Sequence, residues 1–199
     1  VDEGAIGDVT LIKTLTHGPS TPKEWMYDIK KSNGPLAEVN SHDIDTVRWF
    51  AGSEVEEVYA LAGNYRCRDV AERYPDFYDN VVLSIRLSDG KQAIVEGAVS
   101  VGYGYDARLE ILGTAGLLQA GRVETSTVRT VTKSGGVQYG VVPSWRNLFQ
   151  EAYLLEDQAF VDAIRRDQEP PVTGLDGQMA VAVVIDGNES VRTGKPVRL

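Results

Sequence analysis

Glu38 and His42 lie four residues apart in GPLAEVNSHDIDTVRWFAG, residues 34–52, the spacing that puts two side chains on one helix face. A carboxylate one turn ahead of an imidazole can hold one ring nitrogen, fixing the tautomer and raising basicity. The other nitrogen is then free to take a proton from a substrate hydroxyl. Asp45, three residues past His42, offers a further hydrogen bond. Acid–base pairs at this spacing are also common as plain surface features of helices, and the residues alone leave both readings open. Metal chemistry is poorly supplied, because the chain has only His17, His42 and Cys67 beside its carboxylates, and a closed zinc site needs more ligands grouped together. Gly102-Tyr103-Gly104-Tyr105-Asp106-Ala107 fits G-x-G-x-x-A, but the ARLEILG that follows alternates like a strand. A dinucleotide fingerprint has to open a helix. No nucleophile-elbow pattern is present for serine chemistry.

The elements that must position these residues follow from periodicity. VTLIKTLT (residues 9–16) reads as a strand, being rich in Val, Ile and Thr. The segment 34–52 then reads as one amphipathic helix, with Ile44, Val47 and Phe50 on its apolar side and Gly52 as its stop. From residue 55 to about 140 the chain turns to period-two stretches. Asp89-Gly90 marks a hairpin, and Thr114-Ala115-Gly116 and Ser134-Gly135-Gly136 mark further turns. The tail returns to helix, first over LFQEAYLLEDQAFVDAIRR with Phe149, Ala152, Tyr153, Leu155, Phe160 and Ile164 near one stripe. A second helix is expected over 175–192, ending at Gly194 before Pro196.

Strands in a block with helices at both ends predict an α+β domain, a large, mainly antiparallel open sheet with helices packed on one face. Apolar residues on both alternations, Val81, Leu83 and Ile85 on one and Val82 and Leu87 near the other, leave a second face that a partner subunit would cover. Composition limits the partners. Hydrophobic residues at 42%, charged residues at 25% and 199 residues in all suit a single globular unit over 1–199. A net charge of −9 disfavours nucleic acid and anionic membranes, which need clustered Lys and Arg. No apolar run approaches the roughly 20 residues of a membrane span. The single Cys67 forms no internal disulfide, which suits a reducing cytoplasm.

The stretch GPLAEVNSHDIDTVRWFAG resembles the helix of the Gfo/Idh/MocA oxidoreductases, G-G-x-x-x-D-x-x-x-H-x-x-D. GAIGDVTLIK (4–13) resembles the family's entry strand, YDARLEILGTAGLL (105–118) its strand and turn, and FVDAIRRDQEPPVTGLDG (160–177) its closing helix and loop. GYGYDARLE and SWRNLFQEAYLLEDQAF are similar to the inositol dehydrogenase branch. The resemblance implies a fold like the C-terminal domain of glyceraldehyde-phosphate dehydrogenase. It implies hydride transfer between NAD or NADP and a hydroxyl of a sugar or cyclitol, while the open apolar sheet face itself predicts a homodimer or homotetramer. By the same resemblance His42 is the proton acceptor, Glu38 stands where the family has Asp and orients it, and His17, Asn40 and Tyr105 bind substrate. The family's Rossmann half and its catalytic lysine have no counterpart in these residues. The chain is therefore expected to be a C-terminal half, inactive and without dinucleotide on its own. Two other classes stand beside the enzyme: a sugar-sensing regulator on the same two-domain plan, and a stand-alone assembly domain.

Overall fold

The computed structural model describes residues 1–199. Its centre is a seven-stranded sheet in the order β6-β5-β1-β4-β3-β2-β9. The strands are β1 (Val9–Gly18), β2 (Val55–Gly63), β3 (Asn80–Leu87), β4 (Gln92–Val99), β5 (Asp106–Gly113), β6 (Leu117–Ala120) and β9 (Val197–Arg198). Only β1 and β4 run parallel; all other neighbours are antiparallel. That parallel pair requires a long crossover, and the chain between the two strands supplies it as helices plus the β2–β3 pair. The β3–β4 hairpin turns at Asp89-Gly90, where Gly90 takes φ +88°, a value open to glycine without a Cβ penalty. Strands β7 (Glu124–Thr132) and β8 (Gly136–Val141) form a separate hairpin outside the main sheet.

One face of the sheet carries the core. Ile12, Val58, Val81, Leu83, Ile85, Val95 and Ile111 are buried there against Leu36, Ile44, Val47, Val183 and Val184. The covering helices are α1 (Ile29–Ser32), α2 (Gly34–Glu38), α3 (Ser41–Ala51) and α6 (Gly174–Thr193). Truncating a fully buried side chain such as Leu83 costs about 2–5 kcal/mol, so this layer dominates stability. Helix α6 stops at Gly194, φ +66°, where a left-handed cap suits glycine. Arg48, buried near the end of α3, is bidentate to Glu54 at 2.7 and 2.8 Å and also holds Asp45 at 3.0 Å. Asp45 is thus engaged in locking α3.

Two elements depart from the sequence expectation. The helix predicted over 34–52 is broken at Val39–Asn40 into α2 and α3. Asn40 turns its amide away from the helix to bond the Glu96 carbonyl of β4 at 3.1 Å and Asp43 at 2.9 Å, the competition that makes Asn a poor helix-interior residue. The tail helix forms as α4 (Trp145–Leu148) and α5 (Gln150–Arg165). Its apolar stripe, however, finds no core: Leu155, Phe160 and Ile164 are exposed, and Ala163 is the one buried residue of α5. The helical layer over the sheet is therefore α1–α3 and α6. The other face of the sheet stays open, with Leu61, Val82, Ile94, Leu112 and Leu117 exposed on it. No helix is long and apolar enough to cross a membrane.

Candidate active site

A cleft of about 1070 Å³ opens between the inner ends of β1 and β5, the junction of α2 and α3, and the overhanging α4–α5 segment. It is larger than a single small polyol needs, since ligand pockets typically run ~300–1,000 Å³. His42, second residue of α3, and Glu38, last residue of α2, both line it. The helix break between them replaces the continuous turn that their spacing suggests, and they face the same space without bonding each other. Tyr105 lines the cleft from just before β5, with its ring edge against Phe149. Burial pushes its phenol up to about 12, helped by the nearby Asp43 and Tyr153, so its hydroxyl remains neutral and able to donate.

Beneath His42 the floor is polar and enclosed. Thr14 and Thr16 of β1 point inward, because alternate strand residues share a face and Ile12 on the same alternation is fully buried. Asp43, 7% exposed, faces them and accepts a bond from Asn40 Nδ2 at 2.9 Å. Burial raises its carboxyl from 3.8 to about 6, against the pull of Asn40 and of the hydroxyls of Thr16 and Thr14. No cation pairs with it. Thr14 Oγ1 is buried and reaches no partner in good hydrogen-bond geometry, its nearest polar neighbour being the Asp43 carboxyl that it helps to hold down. Charged groups of both signs line the cleft, Glu156, Lys23 and Arg146 among them, and the Arg146 guanidinium sits 4.2 Å from the Trp145 ring centre.

The structure brings together His42, Glu38 and Tyr105, and places the other two predicted residues elsewhere. Asn40 is fully buried behind the cleft, joining α3 to β4. A methyl group at Gly97 would overlap its Oδ1, so the glycine is what lets Asn40 tuck against the strand. His17 alternates with Thr16 and so points to the open face. There it contacts Glu96 through Nε2 at 3.0 Å and the Tyr103 hydroxyl through Nδ1, in a chain that continues to Asp106 and Arg108. The sequence reading missed Asp43, Thr14 and Thr16. The alternation of TLTHG was the available signal, since it forbids Thr16 and His17 from sharing a face.

The G-x-G-x-x-A stretch opens a strand and not a helix. Gly102 and Gly104 lie in the connection between β4 and β5, and the residues after them enter a strand.

Comparison with known proteins is consistent from sequence to fold. The chain is 31% identical to the scyllo-inositol 2-dehydrogenase (NAD(+)) of Bacillus subtilis, with all of this chain and 57% of that protein covered. It is 28% identical to the inositol 2-dehydrogenase of Rhizobium meliloti, covering 100% of this chain and 59% of the relative. Among solved structures, a myo-inositol dehydrogenase from Corynebacterium glutamicum superposes with a TM-score of 0.89 at 28% identity, covering 100% of this chain and 58% of that one. A scyllo-inositol dehydrogenase from Lactobacillus casei, with bound NAD(H) and scyllo-inositol, gives 0.84 at 26% identity, with coverage of 99% and 58%. The chain thus spans less than two thirds of the length of the relatives it matches. The family described as "Oxidoreductase family, C-terminal alpha/beta domain" matches residues 1–199, and the chain belongs to this Gfo/Idh/MocA oxidoreductase family.

Proposed function

We propose that these residues form the substrate-binding and oligomerisation half of an NAD- or NADP-dependent dehydrogenase that oxidises a hydroxyl of a cyclitol or sugar, with His42 as proton acceptor. The observation that carries this reading is the convergence of His42, Glu38 and Tyr105 on one large cleft. In the reaction the carbinol O–H proton passes to an imidazole nitrogen of His42 as the carbon–oxygen double bond forms. A nicotinamide cofactor, when bound, would supply the acceptor for the hydride that leaves the same carbon. Glu38 lines the same cleft as His42, where its carboxylate can accept a hydrogen bond from the polyol or from the imidazole N–H. Tyr105 offers a neutral hydroxyl to the polyol. The related proteins named for inositol support the cyclitol assignment.

The open sheet face is the proposed association surface, joining this chain to a second copy as a dimer or a tetramer. Its exposed Leu61, Val82, Ile94 and Leu112 are interleaved with ion pairs such as Lys13–Glu110 and Arg108–Asp106, a mixture suited to a specific interface. The unpaired Cys67 fits a cytoplasmic setting.

The test is nicotinamide reduction by the full-length protein across a panel of inositols and monosaccharides, with each of NAD and NADP. Saturable turnover with at least one polyol is expected. Tight polyol binding with no turnover would replace the enzyme by a sensor.

A further inference from the structure

Residues neighbouring in a helix are turned by about 100° from one another. His42 therefore meets the solvent side of the cleft while Asp43 is directed to its floor, against β1. Two features of that floor have no explanation within the fold. Asp43 is a carboxyl nine-tenths buried with no cation beside it, held by Asn40 Nδ2 and drawn on by the hydroxyls of Thr16 and Thr14. Thr14 lines the same cleft at 5% exposure, and its Oγ1 has no partner. An unmade hydrogen bond at a buried polar atom is destabilising, a loss that a plain Val at position 14 would avoid. Such a group calls for a partner, and a ligand in the cleft can supply one.

The chemistry of the pair says what that ligand presents. The carboxylate accepts, and the Thr hydroxyl can both donate and accept. A ring hydroxyl satisfies both at once, donating to Asp43 and accepting from Thr14. Tyr105, close enough to Asp43 for the two charges to oppose each other, closes the side of the same space. We propose that Asp43 and Thr14 form a second hydroxyl-reading subsite at the cleft floor, which binds a ring hydroxyl other than the one oxidised and so decides which stereoisomer presents its carbinol to His42. This rests on the polyol dehydrogenase reading above. A cyclitol displays several nearly equivalent hydroxyls, so one contact at His42 cannot fix the ring. A buried polar site can, because an analogue lacking the hydroxyl leaves the protein groups unpaired.

Asp43 and Thr14 act here as binding and positioning residues, and their signature is a split between KM and kcat. The experiment is steady-state kinetics of the full-length protein, wild type, Thr14→Val and Asp43→Asn, on the inositol stereoisomers and on monodeoxy-inositols. Thr14→Val keeps the volume and removes a hydroxyl with no well-formed hydrogen bond, so it should melt near the wild-type temperature. Both variants should raise KM for the preferred isomer roughly ten-fold or more, the usual worth of one lost polar contact, with a smaller change in kcat. Both should also narrow the wild-type preference for that isomer over its deoxy analogue. An active wild type whose two variants keep its KM and its isomer preference overturns the subsite alone. A wild type that oxidises no polyol overturns the dehydrogenase reading and the subsite together.

Discussion

Asp43→Asn should stabilise the protein, and its pH dependence gives the test a sign. The Asp43 carboxyl is raised from 3.8 to about 6, chiefly by burial. The folded protein therefore holds this proton more tightly than the unfolded chain does. Stability from this group is complete below about pH 4, falls as pH rises toward 6, and is flat above. The difference of roughly 2 pH units corresponds to about 3 kcal/mol at pH 7. An Asn of the same shape never ionises and can still accept from Asn40 Nδ2, though it loses some of the attraction that the Thr hydroxyls give a carboxylate. A net gain of about 1–3 kcal/mol at pH 7 is expected, shrinking to near zero or below at pH 4. Urea unfolding of both proteins across that range measures it, provided the slopes agree. All other titrating groups are common to the two proteins and cancel in the difference. Parallel stability curves, with no pH-dependent gap, would refute the claim that Asp43 is buried and strained toward its neutral form.

Other perturbations probe other parts of the structure. Gly97→Ala forces a methyl group into Asn40 Oδ1 and should cost about 2–3 kcal/mol with a loss of activity. Gly102→Ala, with open space at its Cβ position, should stay within about 0.5 kcal/mol, and chemical denaturation compares the two. Glu38→Gln should lower kcat about ten-fold, whereas Glu38→Asp, the residue the family usually carries there, should keep most of the rate; equal rates for all three would remove Glu38 from the mechanism. Charging the open face with Val82→Asp and Ile94→Asp should turn a dimer or tetramer into monomers by sedimentation velocity, and an unchanged mass would place the interface elsewhere.

How much of this was legible in the sequence depends on the range over which each feature is determined. The Asp89-Gly90 hairpin and the Gly194 stop are local chemistry, and both are where the pattern predicts them. The α+β class follows from the block of alternating strands. The break at Asn40 was hidden because its cause is a carbonyl on β4, 56 residues away. The tail helix shows a different limit, since periodicity reports an apolar stripe but not what will cover it, and α5 leaves Leu155, Phe160 and Ile164 in solvent. At the cleft, the pairing of His42 with Glu38 was readable from spacing. The inward turn of Thr14 and Thr16, and the outward turn of His17, required knowing which face of β1 the helices cover. Asp43 is masked by its neighbour: a carboxylate beside a candidate catalytic histidine, turned about 100° from it toward β1, reads as one more polar residue of the same helix start.

The central claim is that His42 takes the hydroxyl proton, and steady-state kinetics of His42→Ala in the full-length protein test it most directly. The account predicts a fall in kcat of ~10²- to 10⁴-fold, the usual worth of a positioned general base. KM should change far less, because a group used in the transition state adds little to ground-state binding. A His42→Ala protein that turns over its polyol at a near-normal kcat would contradict the account and leave His42 as a surface residue at the edge of the cleft.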